Sequence, residues 1–174
     1  YFMCLPGGGA ILTNDSGLAG RAKHLTTTAK VPHAWAFEHD EIGYNYRLPN
    51  INAALGCAQL EALDAVVEKK RRLASWYAAH LGNQEGVEVL MEPRGTRSNY
   101  WLVVARLNES VADRRDWVLD RANEFGVRIR PVWKLIPSLK MYRDCPRADL
   151  SVALEQEGRV VCLPSSPFLA EALS

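Results

Sequence analysis

The sequence has little of what commits a chain to an oxidising compartment, a bilayer or a polyanion. It holds four cysteines, Cys4, Cys57, Cys145 and Cys162, with no C-x-x-C pair among them. Neither a zinc site nor a disulfide framework is signalled, and all four are read as reduced thiols, Cys57 and Cys162 within apolar segments. Charge of one sign is not in excess: 21 Lys+Arg stand against 20 Asp+Glu, a formal charge of +1. With no long run of like charge, a nucleic-acid or anionic-membrane footprint is not expected. Apolar runs such as residues 101–105 or 160–163 are far too short for a bilayer, and no basic-then-apolar leader opens the chain. The expectation is a cytoplasmic protein with no membrane and no nucleic-acid partner. There is no G-x-x-x-x-G-K-S/T loop, no G-x-G-x-x-G after a strand and no G-x-S-x-G elbow around Ser165 and Ser166, so those nucleotide folds and a serine hydrolase are unsupported.

What is present is an ordinary globular composition. At 174 residues and 48% apolar, the chain can bury one core, or one small domain plus a piece of another. Residues 9–13 read as a short apolar strand, and Asn14-Asp15-Ser16 caps a helix running to about Leu25. Periodicity then disappears from Thr26 to Leu48, where Pro32, His33, His39, Asp40 and Gly43 crowd into one irregular segment. Pro49 opens the most secure element: Ile51, Ala54, Leu55, Ala58, Leu63, Val66 and Val67 recur at helical spacing to about Leu81. Such a helix would be some 45 Å long, at roughly 1.5 Å per residue, and serves as a connector.

Beyond Gly82 the pattern predicts strands at residues 87–91 and 100–107, an amphipathic helix at 113–125 stopped by Gly126, and a strand at 127–132. A helix at about 150–157, capped by Asp149 and ended by Gly158, and a strand at 160–163 complete it. The domains expected are residues 1–48, a connecting helix 49–82, and a small α+β domain 83–174 with a mainly antiparallel sheet.

Three segments can carry chemistry. The run Gly7-Gly8-Gly9 is either a plain turn or a place where backbone approaches a phosphate. In GYNYR, Tyr44, Asn45, Tyr46 and Arg47 precede a helix start, an arrangement suited to an anion, although packing aromatics and an ion-pairing arginine read equally well. In residues 130–142, Arg130, Trp133, Lys134 and Tyr142 interleave cationic and aromatic groups that can stack on a ring and hold an anion, or simply form a surface loop. His24, His33 and His39 are separated by nine and six residues, no common ligand spacing, so no metal is expected.

Taken together, GGGAILTND, HLTTTAKVPHAWAFEHDEIGYNYRLPNINAALGCAQLEALD, SNYWLVV, RPVWKLIPSLKMYRDCPRADLS and LPSSP resemble, in order and over nearly the whole chain, the pyridoxal phosphate (PLP)-dependent sugar aminotransferases of the DegT/DnrJ/StrS type. The resemblance is nearest to the branch acting on UDP-linked 4-keto-6-deoxy-N-acetylhexosamines, on the way to legionaminic acid and bacillosamine. It implies the C-terminal half of a fold type I, aspartate-aminotransferase-like transferase: the tail of the PLP-binding large domain, a long helix, then the small α+β domain. It implies PLP as the cofactor of the full-length enzyme, glutamate as amino donor, and a homodimer in which Asn45, and with it Arg47, reaches the cofactor phosphate of the neighbouring subunit. It further implies His39 and Trp133 as contacts to a nucleotide-sugar substrate. The Schiff-base lysine falls, by the spacing of the resemblance, at Tyr1 or just ahead of it, and no lysine stands there. Together with a glycine run that has almost nothing before it, and with Tyr1-Phe2 ahead of Met3, this reads as a cut beginning. The expectation is a chain that binds no PLP and is inactive by itself. The alternative is a noncatalytic module that retains a dimerising or small-molecule-binding surface.

Overall fold

Asp15 starts the first helix as its sequence position predicts. Its backbone is extended, and its side-chain oxygen accepts from the Leu18 N–H at 3.0 Å, which caps α1 (Ser16–Thr26). The computed structural model describes residues 7–173. They fall into two units, one reaching to Ala62 and the other running from Leu63 onward, a boundary that lies inside the second helix.

In the first unit the chain turns back after α1 through Thr28 and Ala29, both in the left-handed region (φ 73° and 50°). Neither is a glycine, so this turn is held against a local steric cost. What holds it is a ladder of main-chain hydrogen bonds: Thr28 N–H to Tyr44 O (3.0 Å), Tyr44 N–H to Leu25 O (2.7 Å) and Tyr46 N–H to Thr26 O (2.9 Å). Gly43 is required where two stretches of this loop meet, because a Cβ there would sit 2.4 Å from Ala29 N and Thr28 C. Ala29 is completely buried. Charged pairs lock the outside of the loop to α1: Arg21 grips Glu41 with two nitrogens, and His24 Nε2 lies 2.7 Å from Asp40. The segment that composition marks as irregular is thus ordered without forming a regular element. The strand expected at residues 9–13 does not form; no described residue pairs with it, and an unpaired strand has no ladder to define it.

Helix α2 (Asn50–Leu81) is 32 residues long and begins immediately after Pro49, whose carbonyl accepts from Ala53 N–H at 3.0 Å. From Leu63 it belongs to the second unit, where Leu73 and Ala74 are buried and Ala74 packs with Val89 of the sheet, with Val103 just ahead of the next strand, and with Tyr100. That sheet has four antiparallel strands, β1 (Val87–Val89), β2 (Val104–Leu107), β3 (Arg130–Pro131) and β4 (Val160–Cys162), in the order β1-β2-β4-β3. In β2 Ala105 and Leu107 are buried while their neighbours are less so, the two-residue alternation of a strand with one covered face. All three residues of β4 are buried, as suits a strand with a partner on each side.

The strands are shorter than the sequence predicts. Val127 to Ile129 stay outside the ladder, and Pro131 has no N–H to extend it. The helix expected at 113–125 opens instead as a 3-10 turn (Glu109–Arg114) and continues as α3 (Arg115–Glu124). Its presumed apolar face is not buried: Trp117 and Phe125 are 61% and 75% exposed. Gly126 does stop it, in the left-handed conformation (φ 76°). Gly158, expected to end α4, lies inside it, since α4 runs Ser151–Arg159. Cys162 is buried, while Cys57 is exposed despite its apolar neighbours; Cys4 lies outside the described residues.

Two polar knots tie the second unit together. Lys70, 7% exposed, donates from Nζ to the carbonyls of Tyr100 (3.3 Å), Trp101 (3.0 Å) and Ser165 (2.5 Å). Arg71 grips Glu92 with two nitrogens and also donates to Ser98 O at 2.6 Å, while Ser98 N–H donates to the same carboxylate at 2.5 Å.

Two outcomes are expected. Gly43→Ala forces the Thr28–Ala29 backbone aside and is expected to cost about 2 kcal/mol, with faster amide exchange at Tyr44 and Tyr46. Gly20→Ala, in open space within α1, is expected instead to add about 0.5 kcal/mol. Equal effects of the two on urea unfolding would contradict this account. The second outcome concerns acid. The Arg71 hydrogen bond, then the Ser98 N–H, bring the Glu92 carboxyl down from 4.5 to about 2. Between those values the unfolded chain holds the extra proton, so stability present above pH 4.5 drains away as pH falls toward 2. Glu92→Gln should flatten that part of the curve of denaturation midpoint against pH.

Candidate functional site

The first unit contains an open recess of about 800 Å³. One wall is a face of α1 on which Ala19, Ala22, Lys23 and Thr26 recur at helical spacing. The opposite wall is the glycine run with Ala10 and Ile11, and the floor is Tyr46 to Pro49 with Asn52 of α2. Gly7 and Gly8 adopt φ of 147° and 140°, and Gly7 O accepts from Asn52 Nδ2 at 3.1 Å. A Cβ on Gly8 would stand 3.0 Å from Leu48. Glycine is therefore needed at both positions, for conformation at one and for conformation and space at the other.

Arg47 lines this recess. Its guanidinium donates to Thr27 O (3.1 Å) and to Asn45 Oδ1 (3.3 Å), so the two residues of the GYNYR motif expected to act together are hydrogen-bonded to each other. Asn45 itself is not part of the recess wall. Tyr44 and Tyr46 stack at 5.3 Å between centroids and remain half or more exposed. A guanidinium, the Lys23 ammonium and the first amides of α2 beside an apolar wall make a recess suited to an organic anion.

His39 lies elsewhere in the same unit. Its Nδ1 is 2.7 Å from Thr28 O, which fixes it as the donor nitrogen, and its backbone bridges to Lys30. Trp133 belongs to the second unit, stacked on Trp101 at 5.7 Å with Arg130 4.5 Å over its ring.

Several residues are not legible as a set from sequence. Lys23 and Thr26 share a helix face with two alanines, a spacing that offers a hint. The pairing of Trp101 with Trp133 joins residues remote in the chain and leaves no local trace. The group His24, Asp40 and Glu41 brings three ligand-type atoms within 4.8 Å of one another. Glu41 is already gripped by Arg21, and the His24 hydrogen bond holds the Asp40 carboxyl below its ordinary range. These side chains act as a clasp between α1 and the loop.

Comparison with known proteins agrees with this architecture. The model of the DegT/DnrJ/EryC1/StrS aminotransferase family matches residues 2–173. A protein of Bacillus subtilis (strain 168) named as a pyridoxal phosphate-dependent aminotransferase, EpsN, is 34% identical over 169 residues, 95% of this chain and 43% of that protein. The GDP-perosamine synthase of Escherichia coli O157:H7 is 32% identical over 94% of this chain and 43% of its own length. Among solved structures, the aminotransferase TlmJ from Streptoalloteichus hindustanus superposes with a TM-score of 0.76 at 25% identity, covering 92% of this chain and 42% of TlmJ. The chain thus spans about two fifths of the length of the relatives it matches, with the antiparallel sheet and helices of a partial α+β aminotransferase fold. Among the described residues no helix is long and apolar enough to cross a membrane. The chain belongs to the DegT/DnrJ/EryC1/StrS aminotransferase family.

Proposed function

We propose that this chain is the C-terminal part of a PLP-dependent aminotransferase that converts a nucleotide-linked 4-keto-6-deoxy sugar to the 4-amino sugar, with glutamate as donor. Residues 1–48 belong to its cofactor-binding domain, 49–82 form the connecting helix, and 83–174 the small domain. The observation that carries the reading is Arg47, held by Thr27 and Asn45 on the wall of a recess that a helix start and a glycine run also line. A phosphate monoester fits that donor set. We assign Asn45 and Arg47 to the cofactor phosphate of a neighbouring subunit, and His39 and Trp133 to the nucleotide sugar. The UDP-linked N-acetylhexosamine branch is supported by the motif strings.

Bound PLP supplies the electron sink that lets an amino group pass between donor and keto sugar. The protein's part here is to bind and orient. Arg47 would neutralise the phosphate charge, and Asn45, which accepts from it, would hold the guanidinium in place. The amine nucleophile that such chemistry also needs is not supplied by the lysines in view. Of the six lysines, Lys30 lies 3.9 Å over the Phe37 ring, Lys69 pairs with Glu171, Lys70 is bound to three carbonyls, and Lys23, Lys134 and Lys140 stand exposed. By itself the 174-residue chain is therefore inactive in turnover. Self-association as a homodimer is supported by the apolar side chains the first unit leaves in water, Trp35, Phe37, Ile42 and Ile51, each close to 80% exposed.

Three measurements test the proposal. Borohydride reduction of the chain mixed with PLP should leave no lysine-linked chromophore; covalent cofactor on the protein would overturn the inactivity. Replacing the matching segment of EpsN with this chain should yield a chimera that keeps PLP and aminates a nucleotide 4-keto sugar, and Asn45→Ala should weaken PLP retention by roughly tenfold, ~1.4 kcal/mol. A folded, PLP-retaining chimera with no amination would sink the assignment. Light scattering should give a dimer mass; a strict monomer at tens of micromolar would remove the dimer.

A further inference from the structure

We infer that His33 is a proton-operated latch: its neutral imidazole folds the tip of the loop at residues 32–37 and holds Trp35 and Phe37 in place, and protonation at Nδ1 sets them loose. The latch stands on the geometry of the loop itself. Its consequence for self-association rests on the dimer proposed above, to which it adds a dependence on pH.

Residues 30–39 run out and back as a narrow hairpin. Lys30 and His39 face each other in an isolated antiparallel bridge, and Val31 N–H donates to Glu38 O at 2.9 Å. Beyond that rung the chain reverses through Pro32, which has no N–H to give. His33 closes the reversal. Its Nδ1 accepts from the Ala36 N–H at 3.0 Å and, over a longer 3.4 Å, from the Trp35 N–H. An Asn or Asp side chain commonly folds a turn in this way; here a ring nitrogen does it. The same imidazole meets the Trp35 indole edge to face, with 4.7 Å between centroids and 87° between planes. Phe37 is held from the other arm by the Lys30 ammonium, 3.9 Å from its ring centre. Both aromatics still leave most of their surface in water, 78% and 80%.

A ring nitrogen that accepts carries no proton. His33 is therefore neutral in this fold, with its hydrogen on Nε2. When a proton from solvent takes the Nδ1 lone pair, a donor faces two donors, both hydrogen bonds are lost and the ring must turn away. An imidazolium beside an indole does gain some cation–π attraction. At an exposed position that gain is smaller than two hydrogen bonds to backbone. Of the charged groups on the loop, Lys30 repels a second cation at the tip and Glu38 at the base attracts one. Asp40 and Glu41 are engaged with His24 and Arg21 of α1, and His39 with Thr28 O. Protonation of His24 turns its contact with Asp40 into an ion pair, so the base of the loop tightens under the same acidification that opens its end. Order at the tip is thus present above the His33 titration and lost as pH falls through it.

Aromatics already held in one arrangement cost less to bury against a partner than aromatics that must first be ordered. Trp35 and Phe37 are two of the large apolar side chains that the first unit leaves in water. Acidification through the His33 titration therefore weakens self-association without altering the side chains that make the contact.

The test uses the 174-residue chain labelled with ¹⁵N and ¹³C. The His33 ring resonances give its protonation midpoint and its tautomer, and solvent exchange of the Ala36 amide, corrected for intrinsic rate, reports the latch. Above the midpoint the Nε2–H tautomer is expected; below it the Ala36 amide should lose roughly fivefold in protection while Tyr44 and Tyr46 keep theirs. His33→Asn, whose side-chain oxygen accepts at every pH, should hold the tip on both sides of the midpoint, and His33→Ala should leave it loose on both. Equal protection of Ala36 above and below the wild-type midpoint, an Nδ1–H tautomer above it, or the same loss of protection in His33→Asn overturns the latch. Light scattering on a dilution series carries the second arm: the dissociation constant of the wild-type dimer should rise roughly fivefold below the midpoint, and that of His33→Asn should stay level. A dimer of unchanged affinity over a loosened tip overturns the coupling to self-association. A chain that is monomeric at every pH removes the dimer, and the Ala36 amide still decides the latch.

Discussion

The second unit depends on one buried charge. Lys70 reaches from α2 to carbonyls in two segments that are far apart in sequence, the turn at Tyr100-Trp101 and the stretch after β4 at Ser165. Burial pulls its pKa below the ordinary lysine value, while three oxygens aimed at one nitrogen favour the charged form. Around that contact the other constraints fall into place. Ser165 Oγ accepts from Val103 N–H at 2.8 Å and donates to Leu163 O at 2.7 Å, so the LPSSP string joins β4 to the approach to β2. Tyr77 donates to Pro164 O at 3.1 Å from the same helix. Ser165, which lacks the elbow of a serine nucleophile, is thus a structural clasp, and the partly exposed Trp101 beside it gains a fixed base.

The first unit is organised on a different principle. It buries little apolar surface and is held by main-chain hydrogen bonds between the end of α1 and the GYNYR segment, with charged side chains closing the outside. Such a unit is ordered by geometry more than by a core, which is why a single glycine, Gly43, matters as much as any hydrophobic residue in it. The same ladder that orders the loop sets Arg47 on the recess wall, so the local fold and the proposed anion chemistry share their hydrogen bonds.

How far the sequence foretold this varies with the range of the interaction involved. Capping by Asp15, the length of α2 and the stop at Gly126 are local matters of propensity and were legible residue by residue. The order of strands and helices after Gly82 was legible too, because each has its own turn signals. Strand lengths were not: Val127 to Ile129 look like strand, but pairing with β4 reaches only Arg130 and Pro131. The periodicity of Trp117, Val118, Ala122 and Phe125 says which residues share a face of α3 and nothing about what covers it, and Trp117 and Phe125 stay exposed. In the site, Asn45 and Arg47 came from the resemblance and their hydrogen bond spans two residues, whereas Lys70, Trp101 and Ser165 are brought together by contacts across 30 to 95 residues that no local pattern records.

The sheet of the second unit ends on both sides in short, blunted strands. On one flank stand two residues, Arg130 and the imino acid Pro131; on the other stand three, with Glu88 in the middle, paired across to Arg106. Neither border presents a long row of unpaired amides to which a further chain could add. Cross-β growth from this domain is disfavoured at its rims.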